Sequence, residues 1–180
     1  MSLRHSILGL LSIQPMSGYD LKKVIDESVG HFWTADQSQI YRTLAALVDE
    51  GLASRRTVVQ EDRPNLYLHS ATDQGLAELD RWLAAPLQAQ PTREPFLARL
   101  FFAPRMPIGQ IRKLLDTRRQ EVSEQLVALE AISVANDAPE NVTEVEHALR
   151  LATLANGIAH ARTEIDWLNA TEQHLERITA

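Results

Sequence analysis

Apolar residues recur with helical spacing between Asp36 and Gly51, and the N-terminal half of the chain is organised around this stretch. Asp36 can cap a helix by accepting a hydrogen bond from the amide of Gln39, whose side chain can reach back as in a capping box. Gly51 can end the helix in the left-handed conformation. The apolar stripe, spaced at i, i+4, i+7 and i+8, consists of Ile40, Leu44, Leu47 and Val48.

The face opposite this stripe carries short polar side chains, one arginine and the small residues Ala45 and Ala46. A helix with such a face can fit closely into a groove, as a recognition helix does in the DNA major groove. On this stretch alone an ordinary surface helix is the alternative. The polar positions are Ser38, Gln39, Arg42 and Asp49, with Tyr41 and Thr43 on the flanks.

The neighbouring patterns extend this picture to a winged helix-turn-helix. Two helices are expected before it, over residues 3–12 and 17–28, the second opened by a capping box at Ser17. After Gly51, two stretches rich in β-formers flank a turn cluster, which predicts a hairpin with strands at 52–60 and 66–71. Thr72 can cap a closing helix at 73–84, whose inward side holds Leu76, Leu79, Trp82 and Leu83.

Residues 85–93 lack periodicity and hold two prolines, so we interpret them as a linker between domains 1–84 and 94–180. The second domain is predicted to be helical. It begins with a short helix at 94–102 and continues with a long helix from Pro107 to about Ala135. A last helix from Thr143 reaches about Arg177. The short helix is expected to bury Phe96, Leu97, Leu100 and Phe101.

The last helix carries a heptad seam and a second apolar edge. Two apolar edges on one helix need two partners, and we expect these to be the preceding helix and the same helix of a second subunit. The alternative is packing within one chain. The second edge holds Val145, Leu149, Ala152, Ala155 and Ala159. The seam, which we assign to dimerisation, holds Leu151, Leu154, Ile158, Ala161, Ile165 and Leu168.

The net charge of −6 counts against a general nucleic-acid coat. DNA binding would therefore need a local basic face. The chain has no cysteine, which fits a reducing compartment. No apolar run approaches the length of a membrane span. We expect a cytoplasmic protein that does not contact membranes.

Catalytic constellations are missing from the sequence. No nucleophile has a base at a recognisable spacing, and no glycine-rich phosphate loop is present. The six histidines are scattered; His5 and His69 are expected to be structural or solvent-facing rather than ligands. The sequence therefore predicts no enzyme, no cofactor and no metal site.

Three tryptophans, Trp33, Trp82 and Trp167, can line an effector pocket because aromatic rings stack on planar ligands. Packing in the core or in an interface is the alternative. Polar groups that interrupt the apolar helix faces of the second domain also have two possible roles. They can hold an anionic effector or form ion pairs within the dimer: Arg118, Arg119, Asn156 and Arg162.

The motifs LGLLSIQPMSGYDLKKVI, FW, SQIYRTLAALVDEGL, EDRPN and TDQGLAELDRWL follow one another in the order and spacing seen in PadR-type transcriptional regulators. The chain resembles this family over residues 6–84, and REPFLARLFFAPRMP with the helices after it resembles the C-terminal domain of the larger members. The resemblance implies a dimeric, cytoplasmic DNA-binding protein, a repressor often released by a small molecule. Where the family commonly has basic residues on the returning wing strand, this chain has Leu66, Tyr67 and His69.

We therefore predict a winged-helix repressor that binds a pseudo-palindromic DNA operator as a homodimer and responds to a small-molecule effector. The helix 37–50 enters the major groove, with Ser38, Gln39 and Arg42 at base edges or nearby phosphates and Tyr41 at a phosphate. A winged-helix protein-interaction module that does not bind DNA is the alternative. The expected contacts to the DNA backbone are Lys22, Lys23, Arg55, Arg56 and Arg63.

Overall fold

The computed structural model describes residues 3–26, 35–59, 65–87, 93–135 and 143–179. The chain divides into two compact units, Met1–Ala89 and Gln90–Ala180. The first unit is a winged helix, which confirms the predicted fold class. Its elements are α1 (Leu3–Ile13), α2 (Gly18–Val24), α3 (Gln37–Asp49), β1 (Ala53–Val58), β2 (Leu66–Ala71) and α4 (Asp73–Ala84).

The predicted helix caps are present in the structure. Ser17 and Asp20 form a reciprocal capping box at α2, and Thr72 accepts a hydrogen bond from the amide of Gly75 at α4. Gly51 ends α3 with a φ of 72°, in the left-handed region that favours glycine. The α-helical part of α2 ends at Val24, and Ile25 and Asp26 continue it as π-helix; the rest of the expected extension to Ser28 falls outside the described residues.

The hairpin pairs β1 with β2 in an antiparallel register that places Arg55 opposite His69. An additional bridge joins Met16, between α1 and α2, to His69 through a pair of backbone hydrogen bonds of 3.0 and 2.8 Å. The wing is therefore anchored to the start of α2. The turn cluster at 61–65, predicted from its composition, lies outside the described residues except for Asn65.

The core of the first unit is built from the inward faces of α1, α2 and α3 and the start of β1. Helix α4 contributes less than its pattern predicted, because only Leu79 among its leucines is buried. Leu76 and Leu83 are 37% and 65% exposed, which corrects the expectation that both face inward. Gly75 takes the position closest to the core: a Cβ there would come within 2.0 Å of the carbonyl oxygen of Leu52.

The second unit consists of α5 (Pro95–Phe102), a 3₁₀ turn (Ala103–Arg105), α6 (Ile108–Ala135) and α7 (Glu144–Thr179). Pro107 precedes α6 and its carbonyl accepts hydrogen bonds from the first turn. Helix α5 buries none of its residues, contrary to expectation. Leu97 and Phe101 are 47% and 77% exposed, because eight residues against a helix pair leave most of the short helix facing outward.

Helices α6 and α7 pack against each other through residues spaced by sevens, as in a coiled coil. The buried positions are Leu115, Val122 and Leu129 on α6 and Leu154, Ala161 and Leu168 on α7.

This packing corrects the assignment of Leu154 and Leu168 to a subunit interface, since α6 of the same chain covers them. Leu151, Ile158 and Ile165 are partly buried beside that seam, and their place in a dimer stays a prediction. The second edge of α7 is open: Val145 and Leu149 are 70% and 63% exposed.

The polar groups that interrupt these helices form ion pairs within the chain. Arg118 holds Glu164 with two hydrogen bonds of 2.7 and 3.0 Å. Arg119 pairs with Glu172, and Arg162 with Glu130. These three arginines thus join α6 to α7, and neither partner subunit nor ligand is needed to account for them.

Candidate nucleic-acid interface

The outward face of α3 presents the residues that the sequence predicted. Ser38, Gln39 and Arg42 are exposed, as are Ala45 and Ala46 in the following turn. The Nε of Arg42 donates to the carbonyl of Ser38 over 3.3 Å. A guanidinium anchored through Nε keeps its two terminal nitrogens as a planar pair of donors, the arrangement that matches the O6 and N7 acceptors of guanine.

Two of the predicted base-contacting residues also build the cap of α3. Ser38 Oγ donates to Asp36 Oδ1 over 2.7 Å, and the amide of Asp36 donates to Gln39 Oε1 over 3.2 Å. The hydroxyl of Ser38 and, to a smaller extent, the amide of Gln39 donate to the carboxylate of Asp36 and lower its pKa. The carboxylate therefore stays charged and keeps these two hydrogen bonds. Gln39 is left with its side-chain NH₂, and Ser38 with its oxygen lone pairs, for contacts outside the protein.

Tyr41 lies against the first residue of α2. A Cβ at Gly18 would come within 2.5 Å of the Tyr41 ring, so the absence of a side chain there lets the ring pack on the backbone. The ring is nevertheless 46% exposed, on one wall of a cleft of about 330 Å³ between α2, α3 and the wing. Tyr41 is thus both a packing residue and available for the predicted phosphate contact.

The two lysines of α2 have less freedom than the sequence indicated. Lys22 pairs with Asp26 one turn later on the same helix. Lys23 is exposed and has an interaction of its own within the chain. Either lysine would have to exchange a protein partner for a phosphate, which reduces the net gain from that contact.

The wing presents two exposed arginines on β1, Arg55 and Arg56. The guanidinium carbon of Arg55 lies 5.1 Å from the centre of the Tyr67 ring, in a cation–π contact across the hairpin. Tyr67, a departure from the family pattern, therefore supports a cation on the neighbouring strand. Arg63, the third predicted wing cation, falls outside the described residues.

His69 connects the wing to the helices, a role that its sequence context did not reveal. Its side chain is 6% exposed and its Nδ1 is buried without a hydrogen-bond partner. Burial lowers the pKa of His69, and the positive charge of Arg55 lowers it further, against an opposing effect of the Met16 backbone. The alternation of Leu66 and Leu68 with Tyr67 and His69 would have placed the histidine on the outward face, and only the bridge to Met16 explains its burial.

Two family models cover most of this architecture. Residues 7–81 match the transcriptional regulator PadR-like family, and residues 92–176 match the virulence activator alpha C-terminal family. The matches follow the two structural units and come in the order expected of the larger regulators. The first unit carries a PadR-like domain.

Two bacterial regulators are similar in sequence to this PadR-like chain. A probable transcriptional regulator of Mycobacterium tuberculosis, Rv1176c, is 45% identical over 93 residues, which are 52% of this chain and 48% of that protein. The negative transcriptional regulator PadR of Bacillus subtilis is 36% identical over 104 residues, 56% of each protein. The chain thus spans about half the length of these relatives.

Solved structures of the Bacillus protein extend the likeness over nearly the whole chain. Its complex with operator DNA has a TM-score of 0.78 and 26% identity, and covers 94% of this chain and 96% of that one. Its complex with p-coumaric acid has a TM-score of 0.74 and 24% identity, and covers 97% and 98%. At 24% identity, the likeness to the complex with p-coumaric acid shows a shared fold and no more.

The two described tryptophans of this PadR-like chain occupy different surroundings. Trp82 stacks on His5 with ring centres 4.8 Å apart and packs on the core, which favours the packing alternative for it. Trp167 is 39% exposed and lines a cleft of the second unit, while Trp33 falls outside the described residues. An effector site at Trp167 stays a prediction.

Two further properties concern the described residues as a whole. None of the helices among them combines the length and the hydrophobicity that crossing a membrane requires. Within the same part of the chain, histidine and carboxylate side chains form no group of three that could bind a metal ion.

Proposed function

We propose that this PadR-like chain is a sequence-specific DNA-binding transcriptional regulator, a cytoplasmic repressor that binds its operator as a homodimer. The exposed face of α3 carries this proposal, because it offers the paired donors of Arg42 beside the small residues Ala45 and Ala46. Small neighbours let the helix approach the floor of the major groove, where a bidentate arginine distinguishes guanine from other bases. The Bacillus relative solved with operator DNA supports the same use of the fold.

The remaining contacts divide into two classes. At the start of α3, one turn before Arg42, the side-chain NH₂ of Gln39 can donate to a base or a phosphate, and the Ser38 oxygen can accept from a base amino group. Arg55 and Arg56 on the wing supply charge without sequence information. The lysines of α2 add less, because Lys22 already has a carboxylate partner.

Dimerisation is assigned to the edge of α7 that α6 does not cover. Val145 and Leu149 are mostly exposed there, and Ala152 and Ala159 continue the edge with small side chains. Small residues let two helices approach closely, and large exposed ones mark a surface that a partner protects from water. A dimer would place two copies of α3 on one face of the duplex, about 34 Å apart, so that their contacts add.

A small molecule would regulate the repressor by changing the angle between its two winged units. A change of angle spoils the spacing of two recognition helices and lowers the affinity for the operator without altering either helix. The Bacillus relative has been solved with a small aromatic acid, and the C-terminal unit of this chain has an aromatic-lined cleft of its own.

Binding to the DNA immediately upstream of the chain's own gene tests this function. We expect specific binding with a steep salt dependence, since several phosphate contacts release counterions. The net charge of −6 favours a second candidate, a winged-helix module that binds another protein instead. An affinity for upstream DNA no greater than for random DNA at every salt concentration would support that module and contradict the regulator.

A further inference from the structure

A cleft of about 710 Å³ opens between the start of α5 and the α6–α7 pair, wholly within the second unit. Its aromatic walls are Phe96 and Trp167, whose ring centres lie 6.3 Å apart with planes nearly perpendicular. Trp167 is 39% exposed and the neighbouring Leu97 is 47% exposed. The volume lies in the range of sites that hold small molecules. The Arg118 guanidinium already lies over the Phe96 ring, 5.6 Å from its centre, so the exposed face of Trp167 is the surface on which a flat ring can stack.

The charged groups of this cleft decide which flat ring fits. The cleft is lined by two carboxylates, Glu94 and Glu164, and one guanidinium, Arg118. Arg118 donates two hydrogen bonds to Glu164 and a longer one of 3.5 Å to Glu121. The bonds to Glu164 raise the pKa of Arg118. An incoming carboxylate would therefore have to displace Glu164 from an established pair.

Glu94 has no such partner. It stands at the N-cap of α5 without forming a side-chain hydrogen bond to the helix, and no ion pair engages it among the described residues. An anion entering the cleft meets this charge, whereas a cation can pair with it and also lie over the Trp167 ring. Both interactions favour a positively charged ligand.

We propose that this cleft binds planar aromatic cations, with the ring stacked on the exposed face of Trp167 and the positive group beside Glu94. That such a ligand also acts as the effector rests on the proposed function; its binding in the cleft does not. The inference separates this chain from a regulator that responds to an aromatic acid, because the charge of the preferred ligand has the opposite sign.

Two probes of nearly equal shape test the preference: cinnamylammonium, which is positive, and cinnamate, which is negative. Titration calorimetry on the full chain should show that cinnamylammonium binds about tenfold more tightly, a difference of ~1.4 kcal/mol, because the charge of Glu94 attracts the ammonium and repels the carboxylate. Binding should also quench tryptophan fluorescence. Quenching should vanish in Trp167→Leu while Trp167→Phe keeps the affinity within a few-fold.

The carboxylate is tested by Glu94→Gln, which should remove most of the preference for the cation. Glu176→Gln, an exposed carboxylate near the end of α7 that does not line the cleft, is the matched control and should retain it. Tighter binding of cinnamate, no binding of either probe at 10 mM (about 2.7 kcal/mol of affinity), or an unchanged preference in Glu94→Gln would overturn the proposal.

Comparing these titrations with the binding of upstream DNA distinguishes a failure of this proposal from a failure of the proposed function. If the chain binds cinnamylammonium in the cleft but shows no preference for its upstream DNA, the cleft stands and the regulator fails. If it binds that DNA specifically and the cation does not enter the cleft, the regulator stands and this inference fails.

Discussion

The guanidinium of Arg55 rests over the ring of Tyr67, 5.1 Å from its centre, on the face of the wing that lines the cleft with α2 and α3. The two residues lie on neighbouring strands. Tyr67 on β2 is opposite Thr57 on β1, and Arg55 precedes Thr57 by two residues, so its side chain lies on the same face of the hairpin. A tyrosine where the family commonly has a basic residue therefore does not leave the wing without a cation. It holds an arginine of the other strand in place, which reduces the entropy lost when that arginine binds a phosphate.

Replacing Tyr67 tests whether this contact positions Arg55 for DNA. Tyr67→Leu should weaken binding to operator and random DNA alike by about 2–5-fold, the effect of an exposed cation–π contact. Tyr67→Phe should bind nearly as tightly as the unmodified chain, since the ring remains. In an Arg55→Ala background, Tyr67→Leu should have no further effect. An equal loss in both backgrounds, measured by fluorescence anisotropy, would assign Tyr67 a contact of its own.

His69 should make the stability of the first unit depend on pH. Its pKa is lowered by burial in the folded chain, so below the ordinary value of about 6.5 the unfolded chain takes up a proton first. Stability should be complete above that value and fall as the pH drops from about 6.5 through the lowered pKa. Urea midpoints between pH 7.5 and 5.5 should decline less in His69→Met. Parallel declines in the two proteins would contradict this role.

Gly75 should not tolerate a side chain. A methyl group there meets the Leu52 carbonyl oxygen at 2.0 Å. Moving the Leu52 carbonyl disturbs the bond that it accepts from the Thr72 amide, and moving Gly75 disturbs the cap bond from its amide to Thr72 Oγ1. We expect Gly75→Ala to lower the free energy of unfolding by about 3 kcal/mol or more. Gly9→Ala is the control, because nothing lies within 4 Å of a Cβ in that helix, and it should stabilise the chain by up to about 1 kcal/mol. Chemical denaturation that ranks the two variants in the opposite order would refute the packing described here.

The open edge of α7 is tested with Leu149→Lys. A lysine in an apolar subunit interface loses hydration without gaining a partner, so we expect a monomer whose helices remain folded. Val127→Lys is the matched control on α6, because Val127 is 66% exposed and Leu149 is 63% exposed. Sedimentation should find the control dimeric. A dimer in Leu149→Lys and a monomer in Val127→Lys would move the interface to α6.

Much of the first unit could be predicted from the sequence because its signals are local. The caps at Ser17, Asp36 and Thr72 and the left-handed Gly51 each depend on residues within one turn.

The predictions that were wrong concern which face of a helix is buried, and which element buries it. Leu76 and Phe101 fit apolar helical patterns, yet a pattern does not reveal whether a partner element is there to bury them. Likewise, the seam of α7 was recognised, but whether α6 or a second subunit covers Leu154 and Leu168 depends on long-range packing. Side-chain pairings across elements, such as Arg55 with Tyr67, leave no periodic trace at all.

Arg42 gives the most direct test of the proposed function. Arg42→Ala should weaken operator binding by about 1–3 kcal/mol and relax the preference for guanine at one base pair in each half-site. Arg177→Ala is the matched control, since Arg177 on α7 makes the same 3.3 Å bond from Nε to the carbonyl four residues before it. Affinities of both variants for the operator and for random DNA, measured at the same salt concentration, decide the matter. The account predicts a loss in Arg42→Ala that is larger on the operator than on random DNA, and no loss in the control; undiminished operator binding by Arg42→Ala would contradict it.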